Sequence, residues 1–300
     1  MGGPPLTMAR SGKHAAAHHA GRTPTIALAL GGGGARGLAH IAVLEALDEL
    51  SLRPIAIAGT SIGAVIGAAY AAGIPANQIR AHALSALRNR TRVFASLFEA
   101  RVGRLGDLFA RGNPVLVDGE RLLDQFWPPE VPDTFEALAI PFAVVAADYY
   151  GRAEITLSSG SLVSAVAASM ALPGLVRPVE IAGQILIDGG AVNPLPCDQL
   201  RGTADILIAV DVSGGPSPTG ETRIPDAFST LFGAAQIMQA AIVAARTQAH
   251  PPDILVRPEV ANFGALEFFK ARQILEAADP GAAWLKHELG KRLRSARRTS

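Results

Sequence analysis

No charged residue falls between Arg53 and Arg80, and within that run the stretch Pro54–Gly73, PIAIAGTSIGAVIGAAYAAG, narrows the folds open to this chain. A membrane-spanning helix needs about 20 apolar residues in one unbroken piece. Here Pro54, the glycines Gly59 and Gly63, and Gly73-Ile74-Pro75 cut the run into shorter pieces. Ile55–Ala58 has the length of a buried strand, and small apolar residues at helical spacing follow Gly63. The pattern predicts strand, sharp turn and helix, with Ser61 at the apex. Glycines two positions either side, Gly59 and Gly63, remove side chains that would clash in such a turn. A serine so placed stands at a helix N-terminus, where developing negative charge is stabilised. It reads as a nucleophile.

A second strand–loop–helix precedes it. Ile26–Leu30 runs into Gly31-Gly32-Gly33-Gly34-Ala35-Arg36-Gly37, then a helix with Ile41, Leu44, Leu47 and Leu50 inward and Glu45, Asp48 and Glu49 outward. Glycine N–H groups at a helix start form an anion cradle. A Walker loop would end in Gly-Lys-Ser/Thr, which is missing. Gly32-x-Gly34-x-x-Gly37 matches a dinucleotide fingerprint, but the next strand ends in Gly-Thr-Ser without the acid that holds a ribose. The third use is an oxyanion hole for acyl transfer, which requires a nucleophile on a neighbouring strand tip. Ser61 is on the very next strand. Arg36 has two open readings, support of this anion site or a pair with a surface carboxylate; His40 reads as structural.

Further strands are predicted over Pro141–Asp148, Ile155–Leu157, Ile185–Asp188, Ile206–Asp211 and Ile254–Pro258. Helices are predicted over Glu120–Trp127, Thr134–Leu138, Ser161–Met170 and Phe268–Ala278. Alternating elements with near-continuous apolar strands predict an α/β fold, with a mainly parallel central sheet covered by helices on both faces. Chemistry in such sheets collects beyond the carboxyl ends of the strands. That edge would hold Ser61, Asp148, Asp188 and Asp211. The expected organisation is a disordered arm over 1–24, one domain over 25–285 and a basic tail over 286–300.

Composition excludes several classes. A net charge of +1 gives no global case for nucleic acid. Cys197 is the only cysteine, so an internal disulfide and a thiolate metal cluster are ruled out and a reducing compartment is expected. His14, His18 and His19 could catch a metal, but they read first as part of a solvated arm, which lacks the apolar stretch of a secretory signal. The expected location is cytoplasmic, with peripheral membrane contact as an open alternative. From Arg80 to Arg111, seven arginines face only Glu99 and Asp107, with Val93, Phe94, Leu97, Phe98, Leu105, Leu108 and Phe109 between them. This reads either as a helical cover or as a mobile cap, about 80–130, that meets anionic lipid. The six basic residues of Lys286–Arg298 carry the same two readings, a solvated helix end or a patch for anionic membrane.

A serine hydroxyl needs a base. His250 stands before Pro251-Pro252 and His287 sits in a charged C-terminal helix; neither closes a strand. A carboxylate is the alternative, provided burial raises its pKa. Asp148, Asp188 and Asp211 are all eligible, and Asp188 is favoured because Gly189-Gly190 permits close backbone approach.

GGGGARG, GTSIG and IDGG, in that order, resemble the patatin-like phospholipase family, bacterial branch, from about Ile26 to Asp211 with weaker echoes to about Ala278. AASMALPGLVRPV, before Asp188, matches as well. The resemblance implies a three-layer patatin-like architecture, a Ser61–Asp188 dyad, and an oxyanion hole from Gly32, Gly33 and Gly34 with Arg36. Gly37, Gly59, Gly63, Gly189 and Gly190 are the other motif positions. It implies hydrolysis of lipid acyl esters without calcium, another metal or a cofactor. Where the family often has Thr before the strand-end Asp, this chain has Ala147 before Asp148, which weakens any role for Asp148. Acyl transfer to an alcohol or lysolipid is the rival within enzymes. A silent lipid- or protein-binding module is the rival outside them. Oligomeric state is not legible.

Overall fold

The computed structural model describes residues 24–88, 116–216 and 224–298. The expected N-terminal arm and most of the expected cap lie outside the described residues. The central sheet holds eight strands: β1 (Ile26–Leu30), β2 (Ala56–Thr60), β3 (Phe142–Asp148), β4 (Ala153–Leu157), β5 (Val179–Ile181), β6 (Gln184–Asp188), β7 (Ile206–Val210) and β8 (Ile254–Val256). Their spatial order is β5-β6-β3-β2-β1-β7-β8, with β4 on β3. The β3-β2-β1-β7-β8 block is parallel throughout, as expected for the centre of the sheet.

The sequence of β1, IALAL, sets how its faces are covered. Side chains alternate across a strand, so Ile26, Leu28 and Leu30 enter one large core while Ala27 and Ala29 enter a second, smaller one. The large core is roofed by α1 (Ala39–Glu49), α2 (Ile62–Ala71) and α7 (Ala271–Arg298). The alanine face is covered by the short 3-10 turn Cys197–Leu200 and by Val243 of α6 (Ala227–Ala249). Both faces are covered, unequally, because alanines leave room only for a thin layer.

One feature of β3 positions everything that follows. Ala146, Ala147 and Asp148 pair with β4 on one edge and with β6 on the other. Val144 and Val145 pair with that same β4 and, opposite it, with β2. Hence β2 and β6 share one edge of β3 and meet end to end, with Thr60 beside Val145 and Asp188 beside Ala146. β6 departs from the parallel block and runs antiparallel to β3. The cause is local. Ala182 and Gly183 both have positive φ, 52° and 80°, and two such residues make the tight hairpin that turns β5 back into β6.

The other α-helices among the described residues are α3 (Ala76–Arg88), α4 (Gly119–Phe126) and α5 (Leu162–Ser169). Asp48 does not simply face water: its carboxylate accepts from the Tyr70 hydroxyl at 2.7 Å and from Ala76 N–H at 2.8 Å, tying α1 to α2 and to the start of α3. Glu45 receives the Arg80 guanidinium through two hydrogen bonds. α6 is absent from the sequence expectations. Its first 19 residues carry no charge, and Asp226 caps it by accepting from Ser229 N–H. The last helix does not stop at Ala278, and no separate tail begins at 286. α7 continues to Arg298 through Pro280 because Ile274, Leu275, Ala278, Ala282, Leu285 and Leu289 form one buried stripe. Lys286 pairs with Glu49, and Lys291 and Arg292 pair with Glu288, which favours the solvated-helix reading of those cations.

Candidate active site

The turn after β2 is sharper than expected. The strand continues through Thr60, and Ser61 alone makes the reversal, with φ 54° and ψ −123°, before α2 begins at Ile62. A non-glycine residue in that region costs about 1–3 kcal/mol and is held by its surroundings. The flanking glycines act through close approach, since neither has positive φ. A Cβ at Gly63 would run into the Leu30 and Gly31 carbonyls, and one at Gly59 would lie 2.6 Å from Gly63 O. The Ser61 side chain is partly exposed, and its Oγ donates to Asp188 Oδ2 at 2.7 Å.

Asp188 closes β6 at the junction with β2 and is only 5% exposed. Its other oxygen accepts from Gly190 N–H at 2.7 Å. Burial raises the carboxyl from 3.8 to about 6; the bonds from Ser61 and Gly190 pull the other way and lose. Gly189 is required by proximity, because a Cβ there would meet Val145 O. The result is a hydroxyl in contact with a buried carboxylate of raised proton affinity, which is the arrangement direct proton transfer needs.

The glycine loop lies alongside, with a Cβ on Gly32 falling 3.4 Å from Ser61 Cβ. Its carbonyls are clamped from behind. His40 Nε2 donates to Gly31 O at 2.8 Å and Arg36 Nε to Gly33 O at 3.2 Å. In a trans peptide the N–H points opposite to its C=O. Gly32 N–H therefore points away from His40, and it is consumed by Pro194 O at 2.8 Å. This corrects the expectation for Gly32, which cannot offer its N–H to an oxyanion. Among the described residues, Gly33 and Gly34 N–H have no acceptor. Gly34 has φ 61°, and a Cβ on it would collide with the Ala265 carbonyl, so no other residue fits.

Among the described residues, Arg36 pairs with no surface carboxylate. It is 2% exposed, and burial pulls its guanidinium below the ordinary value while the Asp211 charge pushes it back up. Burial likewise brings His40 down to about 4, against the opposing effects of Gly31 O and Asp211, so the imidazole is neutral and serves as an N–H donor.

The other two candidate acids are placed elsewhere. Asp148 caps the β3–β4 turn, accepting from Gly151 and Tyr150 N–H and from Gln184; the Gly151 bond leads in holding it below the usual carboxylate range. Asp211 accepts from Ser213 and from Arg257 Nε at 3.1 Å. His250 contacts Arg201 at 3.0 Å. Two buried polar residues went unread. Asn193 accepts from the Thr60 hydroxyl through its backbone and donates to Glu154 and Asp198. Ser169 contacts the backbone of Ser61 itself at 2.8 Å. It lies in the AASMALPG stretch, whose small residues signal close packing without naming a role.

Comparison with known proteins places the chain in a family. A family model described as Patatin-like phospholipase matches residues 28–201. An uncharacterized NTE family protein of Mycobacterium tuberculosis is 37% identical over 206 residues, 67% of this chain and 54% of that protein. Human patatin-like phospholipase domain-containing protein 6 is 34% identical over 212 residues, 68% of this chain and 14% of that protein. The chain thus spans about half the length of the mycobacterial relative and a small part of the human one. VipD from Legionella pneumophila aligns over 89% of this chain and 67% of its own, with TM-score 0.47 and 14% identity. The chain belongs to the patatin-like phospholipase family.

Proposed function

We propose that this chain hydrolyses lipid acyl esters with Ser61 as nucleophile and Asp188 as its base. The observation that carries the reading is the 2.7 Å contact between Ser61 Oγ and a buried carboxylate of raised pKa. Ser61 Oγ attacks the ester carbonyl carbon as its proton passes to Asp188 Oδ2. Gly33 and Gly34 N–H take the charge forming on the carbonyl oxygen. Collapse of the intermediate breaks the ester C–O bond, and Asp188 gives the proton to the departing alcohol. Water then attacks the acyl-serine with Asp188 as base, fatty acid leaves, and the proton returns to Ser61 Oγ.

A lipid substrate is supported by family membership and by α6. That helix packs Gln239 against Gly190, next to Asp188, and Gly233 against Pro216. Its outer side leaves Leu231, Ile237 and Met238 exposed, at 74%, 59% and 60%. An apolar face joined to the turn that carries the base suits a substrate drawn from a lipid surface. The test is incubation with phospholipid, lysophospholipid and neutral-lipid substrates, followed by product analysis. Free fatty acid is expected. Acyl chains appearing only on an added alcohol or lysolipid would instead identify an acyltransferase.

A further inference from the structure

The ladder between β2 and β3 begins with Ile57 N–H on Pro141 O at 2.9 Å. In a parallel pair the donors of one strand recur at every second residue. The next donors are Gly59 and Ser61, and the acceptors step with them to Ala143 and Val145. Regular pairing would put Ser61 N–H on Val145 O. Instead the Ser169 hydroxyl stands between them, accepting from Ser61 N–H at 2.8 Å and donating to Val145 O at 2.6 Å.

We propose that Ser169 is a positioning residue whose hydroxyl is inserted into the sheet ladder as a spacer, lifting Ser61 out of the strand line toward Asp188. The inference rests on Ser61 being the nucleophile. A direct N–H···O bond spans about 2.9 Å, so relaying it through a hydroxyl holds the two backbones farther apart. The relay also satisfies both groups, which burial would otherwise leave unpaired. Ser169 itself has no exposed surface. Two residues on, Ala171 O accepts Asp188 N–H at 3.1 Å. The end of α5 therefore holds the backbones of both Ser61 and Asp188, and their separation is set there. Without the hydroxyl, Ser61 N–H can close directly on Val145 O, which draws Oγ away from Asp188.

The experiment compares wild type, Ser169→Ala and a control, Ser164→Ala, on the same helix. Ser164 bonds Glu120 and Ser161 and touches neither Ser61 nor Asp188. Inactivation by a fluorophosphonate and turnover of a soluble p-nitrophenyl ester are measured against pH, with thermal melts to compare stability. Ser169→Ala is expected to lose at least about tenfold in kcat and in inactivation rate with KM nearly unchanged. Its acidic limb is expected to move to higher pH, since the Ser61 bond that lowers the Asp188 pKa is weakened. Ser164→Ala is expected to keep wild-type values even where its melting temperature falls as far. Rates within threefold of wild type, or a loss matched by Ser164→Ala, would overturn the proposal. Should the alanine variant not fold, Ser169→Cys, which keeps the size with a weaker donor, is read by the same criteria. Wild type that resists the probe would remove the nucleophile reading itself, which is a different failure.

Discussion

At the level of single residues, Asp188 decides the chemistry proposed for this site. A base must be deprotonated to act, so kcat/KM is expected to fall as pH drops through about 6, the value burial gives this carboxyl. A limb near 4 would mean the base is a solvated acid. The same shift has a stability consequence of opposite sign. Because the folded value lies above the ordinary 3.8, the folded chain retains a proton that the unfolded chain has released at intermediate pH. The contribution is fully present below about pH 4 and is lost as pH rises through 6. Asp188→Asn removes that penalty. It is expected to be more stable than wild type at pH 8, by roughly 1–3 kcal/mol, while losing activity; calorimetry with a turnover assay checks both. Ser61 and Asp188 were legible because one follows a strand directly and the other closes one, each beside glycines. Ser169 and His40 were not. A buried serine or histidine looks alike in sequence whether it fills a core or relays a hydrogen bond.

At the element scale the glycine loop separates two kinds of glycine that the motif presents as equals. Gly32 has ordinary φ, ordinary contact at a built Cβ and an N–H already consumed. Gly34 has positive φ and no room. Gly32→Ala is therefore expected to melt within a few degrees of wild type. Gly34→Ala is expected to lose about 2 kcal/mol or more and its activity with it. Equal destabilisation of the two would contradict the loop geometry. The loop, the turn at Ser61 and most strands were readable from apolar runs closed by glycine or an acid. The direction of β6 was not, since it depends on a hairpin at Ala182-Gly183 and on which edge of β3 remains free. α6 escaped because its uncharged, alanine-rich face shows little helical periodicity. The packing of α7 overrides the stop that Pro280 signals.

Across the whole molecule, the long helix α6 carries the exposed Leu231, Ile237 and Met238 and, through Gln239, also packs against Gly190 in the turn after Asp188. Among the described residues no helix is long and apolar enough to cross a membrane. Replacing Leu231, Ile237 and Met238 with serine is expected to weaken sedimentation with phospholipid vesicles at least about fivefold. Turnover of a soluble ester should stay the same. Unchanged vesicle binding, or a change from dimer to monomer in these variants, would give that face another occupant. The family and the central parallel sheet were legible in three short motifs. The thin alanine-side layer and the end-to-end meeting of β2 and β6 became visible only with the strand register.

The most direct measurement is mass-spectrometric mapping of the protein after reaction with a fluorophosphonate at neutral pH. One adduct is expected, on Ser61, slowed at least about a hundredfold in Asp188→Asn and absent in Ser61→Ala. An adduct on another residue, or equal labelling of wild type and Ser61→Ala, would contradict Ser61 as the nucleophile.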